Sequence, residues 1–198
     1  MRVDHLQYGK RLENIRSDVK GVNASFSDGA QMYADLIVGC DGAQSVVRKM
    51  LVGKEAAENS ETDINFVNLA TSFGRETSAL IRAQHPIFFN SFHPKGWMYL
   101  TRILDVPRPN DPASWVFQVL VSWKGAPTSG DLPTKHERTE WLREKAEEYV
   151  DPWRSALRAL PAKASFDIES AKFWRPMDWS SSPLAGRVTL AGDAAHSV

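Results

Sequence analysis

Hydrophobic and polar positions along this chain follow two different periods, and the changes of period mark its parts. From 114 to 123 the alternation is strict. Trp115, Phe117, Val119, Val121 and Trp123 fall on one side, while Gln118 and Ser122 fall on the other. That is the two-residue period of a strand with one buried face. Residues 64–70, 87–92 and 96–104 share its large apolar side chains, and prolines at 86, 94, 107, 109 and 112 punctuate between them. Together they predict an antiparallel sheet with a large aromatic face. A helical period follows. Thr134 and Glu137 form a capping-box pattern ahead of Trp141, Leu142, Ala146, Tyr149 and Val150, which share one side. Asp151-Pro152 reads as a cap and an N1 proline for a second helix, packed by Trp153, Ala156, Leu157 and Leu160 and stopped by Pro161. Residues 166–174 return as a strand, and 176–183 form a loop.

The two ends of the chain read differently. Residues 1–27 predict a small antiparallel excursion, with strands at 8–12 and 21–26 and a hairpin-type turn at Ser27-Asp28-Gly29. Leu36-Ile37-Val38 is continuous rather than alternating, as for a strand covered on both faces. Val46, Val47, Met50 and Leu51 make a helical stripe ending near Gly53, and 54–63 is polar enough for a loop or linker. Near the far end, Val188-Thr189-Leu190 reads as a short buried strand. Gly192 breaks it, and Ala194-Ala195 begins a helix. The expected division is therefore a broken outer part, 1–53 with 183–198, around a continuous inner part, 54–182.

Composition narrows the class. Apolar residues make up 42% and charged residues 24% of 198, which suits a globular chain with a substantial core. Lys+Arg and Asp+Glu are equal at 24 each, so there is no basic excess to suggest nucleic acid. One cysteine, Cys40, excludes an internal disulfide framework and a Cys-based zinc site, and it reads as a small buried residue. The histidines at 5, 85, 93 and 136 show no metal spacing. No apolar run reaches membrane-spanning length and the start lacks a signal-peptide core, so a cytoplasmic location is the expectation. The sequence leaves oligomeric state open.

Two stretches carry the candidate chemistry. In each, an apolar strand ends in an Asp/Gly turn before a helix start: Asp41-Gly42 with Ser45 and Arg48, and Gly192-Asp193-Ala194-Ala195-His196. Glycine lets a ligand approach the backbone, a carboxylate can accept hydrogen bonds from sugar hydroxyls, and a helix start offers free N–H groups. A duller reading stands beside each. Asp41, Ser45 and Asp193 can be helix caps, Arg48 a surface arginine, and His196 a solvent-facing helix residue.

The ordered pair, Asp-Gly-x-x-Ser-x-x-Arg followed by Gly-Asp-Ala-Ala-His, resembles the FAD-dependent monooxygenases of the p-hydroxybenzoate hydroxylase type, especially fungal members. The resemblance covers essentially the whole chain. It implies a mixed α/β protein: a partial Rossmann-like FAD-binding domain, with an inserted substrate domain of antiparallel sheet plus helices. It implies FAD as cofactor, NAD(P)H as co-substrate, molecular oxygen, and a small organic, often aromatic, substrate that is hydroxylated. By the resemblance Asp193 binds the ribityl or ribose region of FAD. Asp41, Ser45 and Arg48 link the FAD and nicotinamide pyrophosphate regions. Gly42, Gly192, Ala194, Ala195 and His196 border the cofactor. No catalytic base is assigned, and no metal is expected. The family's opening Gly-x-Gly-x-x-Gly unit does not occur in this sequence. A central fragment of such an enzyme is therefore expected. The alternatives are a non-catalytic truncated product without flavin, or a flavoenzyme of the same fold that inserts no oxygen.

Overall fold

The computed structural model describes residues 6–162 and 164–196, so the first five and last two residues of the outer segments, His5 among them, lie outside the described residues. It is a mixed α/β chain that divides into two units, residues 1–61 with 172–198, and residues 62–171. The contacts thus group 54–61 and 172–182 with the outer segments, whereas the sequence reading placed them in the inner part.

In the outer unit, β1 (Leu12–Ser17), β2 (Val22–Phe26) and β3 (Gln31–Ala34) form an antiparallel meander. The first strand begins at Leu12 rather than Tyr8, which is solvent-exposed. The turn at 27–29 joins β2 to β3 as expected. Next come β4 (Ile37–Gly39) and α1 (Val46–Val52), and at the far end β10 (Val188–Leu190). β4 and β10 pair in parallel, with Ile37 opposite Val188 and Gly39 opposite Leu190. Gly39 is required there by packing, because a Cβ at this position would sit 2.7 Å from the Cβ of Val47 on α1. Ile15, Val22, Val47, Leu51, Leu184, Val188 and Leu190 make the core of this unit. Leu36 and Val38 are about half exposed, so β4 is not covered on both faces as its continuous apolar run predicted. Cys40 is exposed rather than buried.

The inner unit is organised by a five-stranded sheet. Its strands are β5 (Ser60–Thr71), β6 (Phe88–Phe92), β7 (Met98–Asp105), β8 (Val116–Lys124) and β9 (Ile168–Phe173), in the order β6-β7-β8-β5-β9. The β6–β7, β7–β8 and β8–β5 pairs are antiparallel. β5 starts at Ser60, inside the stretch read as linker. The strict alternation survives intact: Trp115, just ahead of β8, and Phe117, Val119, Val121 and Trp123 on it are all buried. They pack with Leu142, Ala146, Tyr149, Ala156, Leu157 and Leu160 from the helical segment. That segment contains α3 (Lys135–Lys145) and α4 (Trp153–Arg158), and α3 carries the full capping box between Thr134 and Glu137. Trp123 and Trp141 meet at 4.6 Å between centroids, and Trp97 stacks on Trp141 at 5.4 Å. The aromatic face is core.

Three local expectations are corrected. Val150 is exposed, because the chain leaves the helical period in a 3-10 turn at 146–148. Pro152 occupies the N-cap position rather than N1. Asp151 still serves the helix, accepting from Ser155 N at 3.1 Å. α2 (Arg75–Gln84) has no counterpart in the sequence reading; its buried residues are only Ser78 and Ile81, too few to show a stripe.

Candidate functional site

The parallel register of β4 and β10 decides where the two motifs go. Gly39 lies opposite Leu190, so both strands end at the same level and their turns emerge side by side. In open parallel sheets, ligands bind at the carboxyl ends of the strands. Both turn glycines have positive φ, 79° at Gly42 and 60° at Gly192, and a Cβ built at either would meet nothing within 4 Å. The backbone there is open to a ligand.

Ser45 and Arg48 of the first motif are buried, while Asp41 is exposed but bonded back to the helix start. Asp41 Oδ2 accepts from Val46 N at 2.6 Å and Val47 N at 3.1 Å, while Oδ1 accepts from the Ser45 hydroxyl. Ser45 is the N-cap of α1, accepting from Arg48 N at 2.9 Å. Partial burial alone would raise the Asp41 carboxyl, but the bonds from Ser45, Val47 and Val46 outweigh it and hold the group below the usual aspartate value. The capping reading of Asp41 and Ser45 is therefore the one their contacts support.

Arg48 is not a surface arginine; it is 1% exposed. Nε donates to Ala57 O at 3.0 Å and Nη1 to Ala194 O at 3.0 Å. Nη2 donates to Ala43 O at 2.6 Å and to Asn59 Oδ1 at 2.9 Å. The Trp174 ring covers the guanidinium face, 4.9 Å from its carbon. A buried charge needs this degree of satisfaction. Burial pulls the guanidinium pKa down, and the Asp41 charge opposes that shift. One side chain thus ties the Asp41-Gly42 turn to the Gly192-Asp193 turn.

The second motif is the more open one. Gly192–Ala194 is a 3-10 turn rather than the start of an α-helix. Ala194 and Ala195 are buried, whereas Gly192, Asp193 and His196 are exposed. His196 N donates to Gly192 O at 2.9 Å, closing the turn. Asp193 caps nothing, and its carboxylate has no hydrogen-bond partner among the described residues. Asn59 and Trp174, which complete the Arg48 cluster, belong to no motif, and nothing in their sequence surroundings distinguishes them. Among the described residues no three His, Cys, Asp or Glu side chains gather as a metal site, and no helix is long and apolar enough to cross a membrane.

Known proteins can be set against this geometry. The FAD binding domain family matches residues 4–198. The FAD-dependent monooxygenase cctM of Talaromyces islandicus is 34% identical over 192 residues, covering 96% of this chain and 47% of that protein. The FAD-dependent monooxygenase phnB of Penicillium herquei is 29% identical over 196 residues, with 96% and 47% covered. Among solved structures, Klebsiella pneumoniae HpxO complexed with FAD and uric acid aligns with a TM-score of 0.61 at 21% identity, over 97% of this chain and 44% of that one. That last likeness is one of fold. The chain spans about half the length of the curated relatives it matches, 47% for the first two. Its motifs, its mixed α/β fold and the extent of the family match agree: the chain belongs to the FAD binding domain family, and the curated relatives it resembles are FAD-dependent monooxygenases.

Proposed function

We propose that this chain is the central part of an FAD-dependent, NAD(P)H-consuming monooxygenase that hydroxylates a small organic, often aromatic, substrate. The outer unit is the corresponding part of the FAD domain, and residues 62–171 are the substrate domain. The observation that carries this reading is the pairing of two open glycine turns at one sheet end, with the Asp193 carboxylate beside them and unpartnered among the described residues.

The residues present fit FAD. Asp193 is an acceptor-only group at the surface, suited to the hydroxyls of a ribityl or ribose chain. Gly42 and Gly192 allow close approach of the backbone, since no side chain stands in front of them. The N–H groups of Gly42, Ala43 and Gln44 donate to no described residue, so they are available to phosphate oxygens. Asp41, Ser45 and Arg48 build these turns and do not contact the cofactor with their side chains. Ala194 and Ala195 pack beneath the second turn, and His196 borders it. When bound, FAD would accept electrons from NAD(P)H and pass them to oxygen; the protein positions it and limits water.

The sheet of residues 62–171 supports the assignment of a substrate domain. One face is sealed by helices. The other carries Phe66, Asn68, Leu100, Gln118 and Leu120, all at least partly exposed. Asn68 and Leu100 lie opposite Leu120 on either side, and Gln118 Nε2 donates to Asn68 Oδ1 at 2.7 Å. An apolar floor with a fixed amide pair suits a flat organic ring bearing a polar group.

The test is product analysis of the full-length protein with NAD(P)H under isotopically heavy oxygen gas. A product carrying one heavy oxygen atom is expected. Substrate oxidation without label would assign a flavoenzyme that inserts no oxygen, and absence of flavin from the purified protein would reject the reading.

A further inference from the structure

We propose that Asn59 and Trp174 are positioning residues for the cofactor turns, acting through Arg48. The proposal rests on the reading of those turns as the FAD site and adds two residues that no motif contains.

The physical case starts from the shape of a guanidinium. It is a planar fork: bonds at its edges fix it within its plane, and a stacking partner fixes the tilt of that plane. Asn59 works at the edge. Its Oδ1 accepts from Arg48 Nη2 at 2.9 Å, and its Nδ2 donates to Ala43 O at 3.1 Å. Ala43 O also accepts from Arg48 Nη2 at 2.6 Å. Asn59, Arg48 and Ala43 thus close a ring of three hydrogen bonds against the first turn. Trp174 works at the face. It is 3% exposed, its ring lies 4.9 Å from the Arg48 carbon, and its Nε1 is anchored on Ala56 O at 2.7 Å.

With edge and face both held, the carbonyls of Ala43 and Ala194 sit on one rigid group, and the spacing of the two turns is set. Loss of the Trp174 ring opens the cation's face to water, which competes for the same donors. Loss of the Asn59 amide frees one edge of the fork and releases Ala43. In either case each turn keeps its own strand pairing, but the reference between them loosens. Asn59 immediately precedes β5 and Trp174 immediately follows β9 in the chain.

The test is titration of FAD into the apo form of the full-length protein, well below its unfolding temperature, with folding verified by circular dichroism. Four variants are compared: Asn59→Ala, Trp174→Leu, Trp174→Phe and, as reference, Asp193→Ala. Trp174→Leu is expected to weaken FAD about tenfold, and Asn59→Ala about fivefold. Trp174→Phe keeps a ring over the guanidinium and is expected to lose less than about threefold. A merely structural role predicts lowered unfolding temperatures with wild-type FAD affinity in every folded Asn59 and Trp174 variant, and that result would overturn the proposal. If Trp174→Leu does not fold, Asn59→Ala decides alone: weakened FAD supports the proposal and unchanged FAD sinks it. Weakened FAD in Asp193→Ala only would remove the role of Asn59 and Trp174 while leaving the site standing. Unchanged FAD in all four variants would remove the site itself.

Discussion

Arg48 donates a hydrogen bond of 3.0 Å to the main-chain oxygen of Ala194, 146 positions further along the chain. The same guanidinium holds the carbonyl of Ala43. Two motifs that are remote in sequence are therefore braced by one buried cation. The parallel pairing of β4 with β10 brings the turns to one end; Arg48 fixes how far apart they stand.

This brace yields a first prediction. Arg48→Lys keeps the charge but replaces a planar fork with a point donor. It cannot serve Ala43, Ala57, Asn59 and Ala194 together, and buried acceptors left unserved cost about 1–3 kcal/mol each. Thermal and denaturant unfolding of the full-length protein should show a loss of about 2–4 kcal/mol. A variant as stable as wild type would mean that Arg48 is not the brace.

Acid should expose the role of Asp41. Its folded-state pKa is lowered, with the hydrogen bonds from Ser45, Val47 and Val46 outweighing the effect of burial. A group with a depressed folded pKa contributes stability that is fully present above its ordinary value, 3.8 here, and is lost as pH falls through the lowered one. Wild type should therefore lose stability below about pH 4 more steeply than Asp41→Asn, which has no such proton to take up. Parallel pH profiles for the two proteins would contradict the capping role.

Phe117 tests the face assignment in the inner sheet. It is 1% exposed and packs against Phe73 at 5.7 Å between centroids. Phe117→Ala should cost about 3–5 kcal/mol. Leu120→Ala, on the partly open face of the same strand, should cost clearly less. Equal losses would mean that the two faces of β8 have been assigned the wrong environments.

Much of this was legible in the sequence, for reasons that differ by element. The buried face of β8 was readable because five large apolar residues alternate without interruption. The helix α3 announced itself through Thr134 and Glu137, whose capping chemistry is local. The two turns were readable because an Asp/Gly break after an apolar strand is also a local signal. What escaped is what depends on distant partners. α2 buries little beyond Ile81, so its period is faint. Val38 reads as doubly covered, yet its exposure is set by which strands flank it, not by its own run. Arg48 could not be placed from sequence because three of its four acceptors are main-chain carbonyls, which every residue has. Asn59 and Trp174 escaped for the same reason: their role exists only once Arg48 is buried between them.

The central claim is that the turn bearing Asp193 holds FAD, and FAD titration of the Asp193 variants in the full-length protein tests it most directly. The exposed carboxylate caps no helix and has no hydrogen-bond partner among the described residues, so its removal should leave the fold intact. A hydrogen bond to a charged group is worth about 1.5–3 kcal/mol, so Asp193→Ala should bind FAD roughly ten- to a hundred-fold more weakly. Asp193→Asn, which keeps an acceptor, should lose less. An unfolding temperature close to wild type, together with that graded loss of affinity, is the predicted result. FAD affinity unchanged in Asp193→Ala would contradict the account.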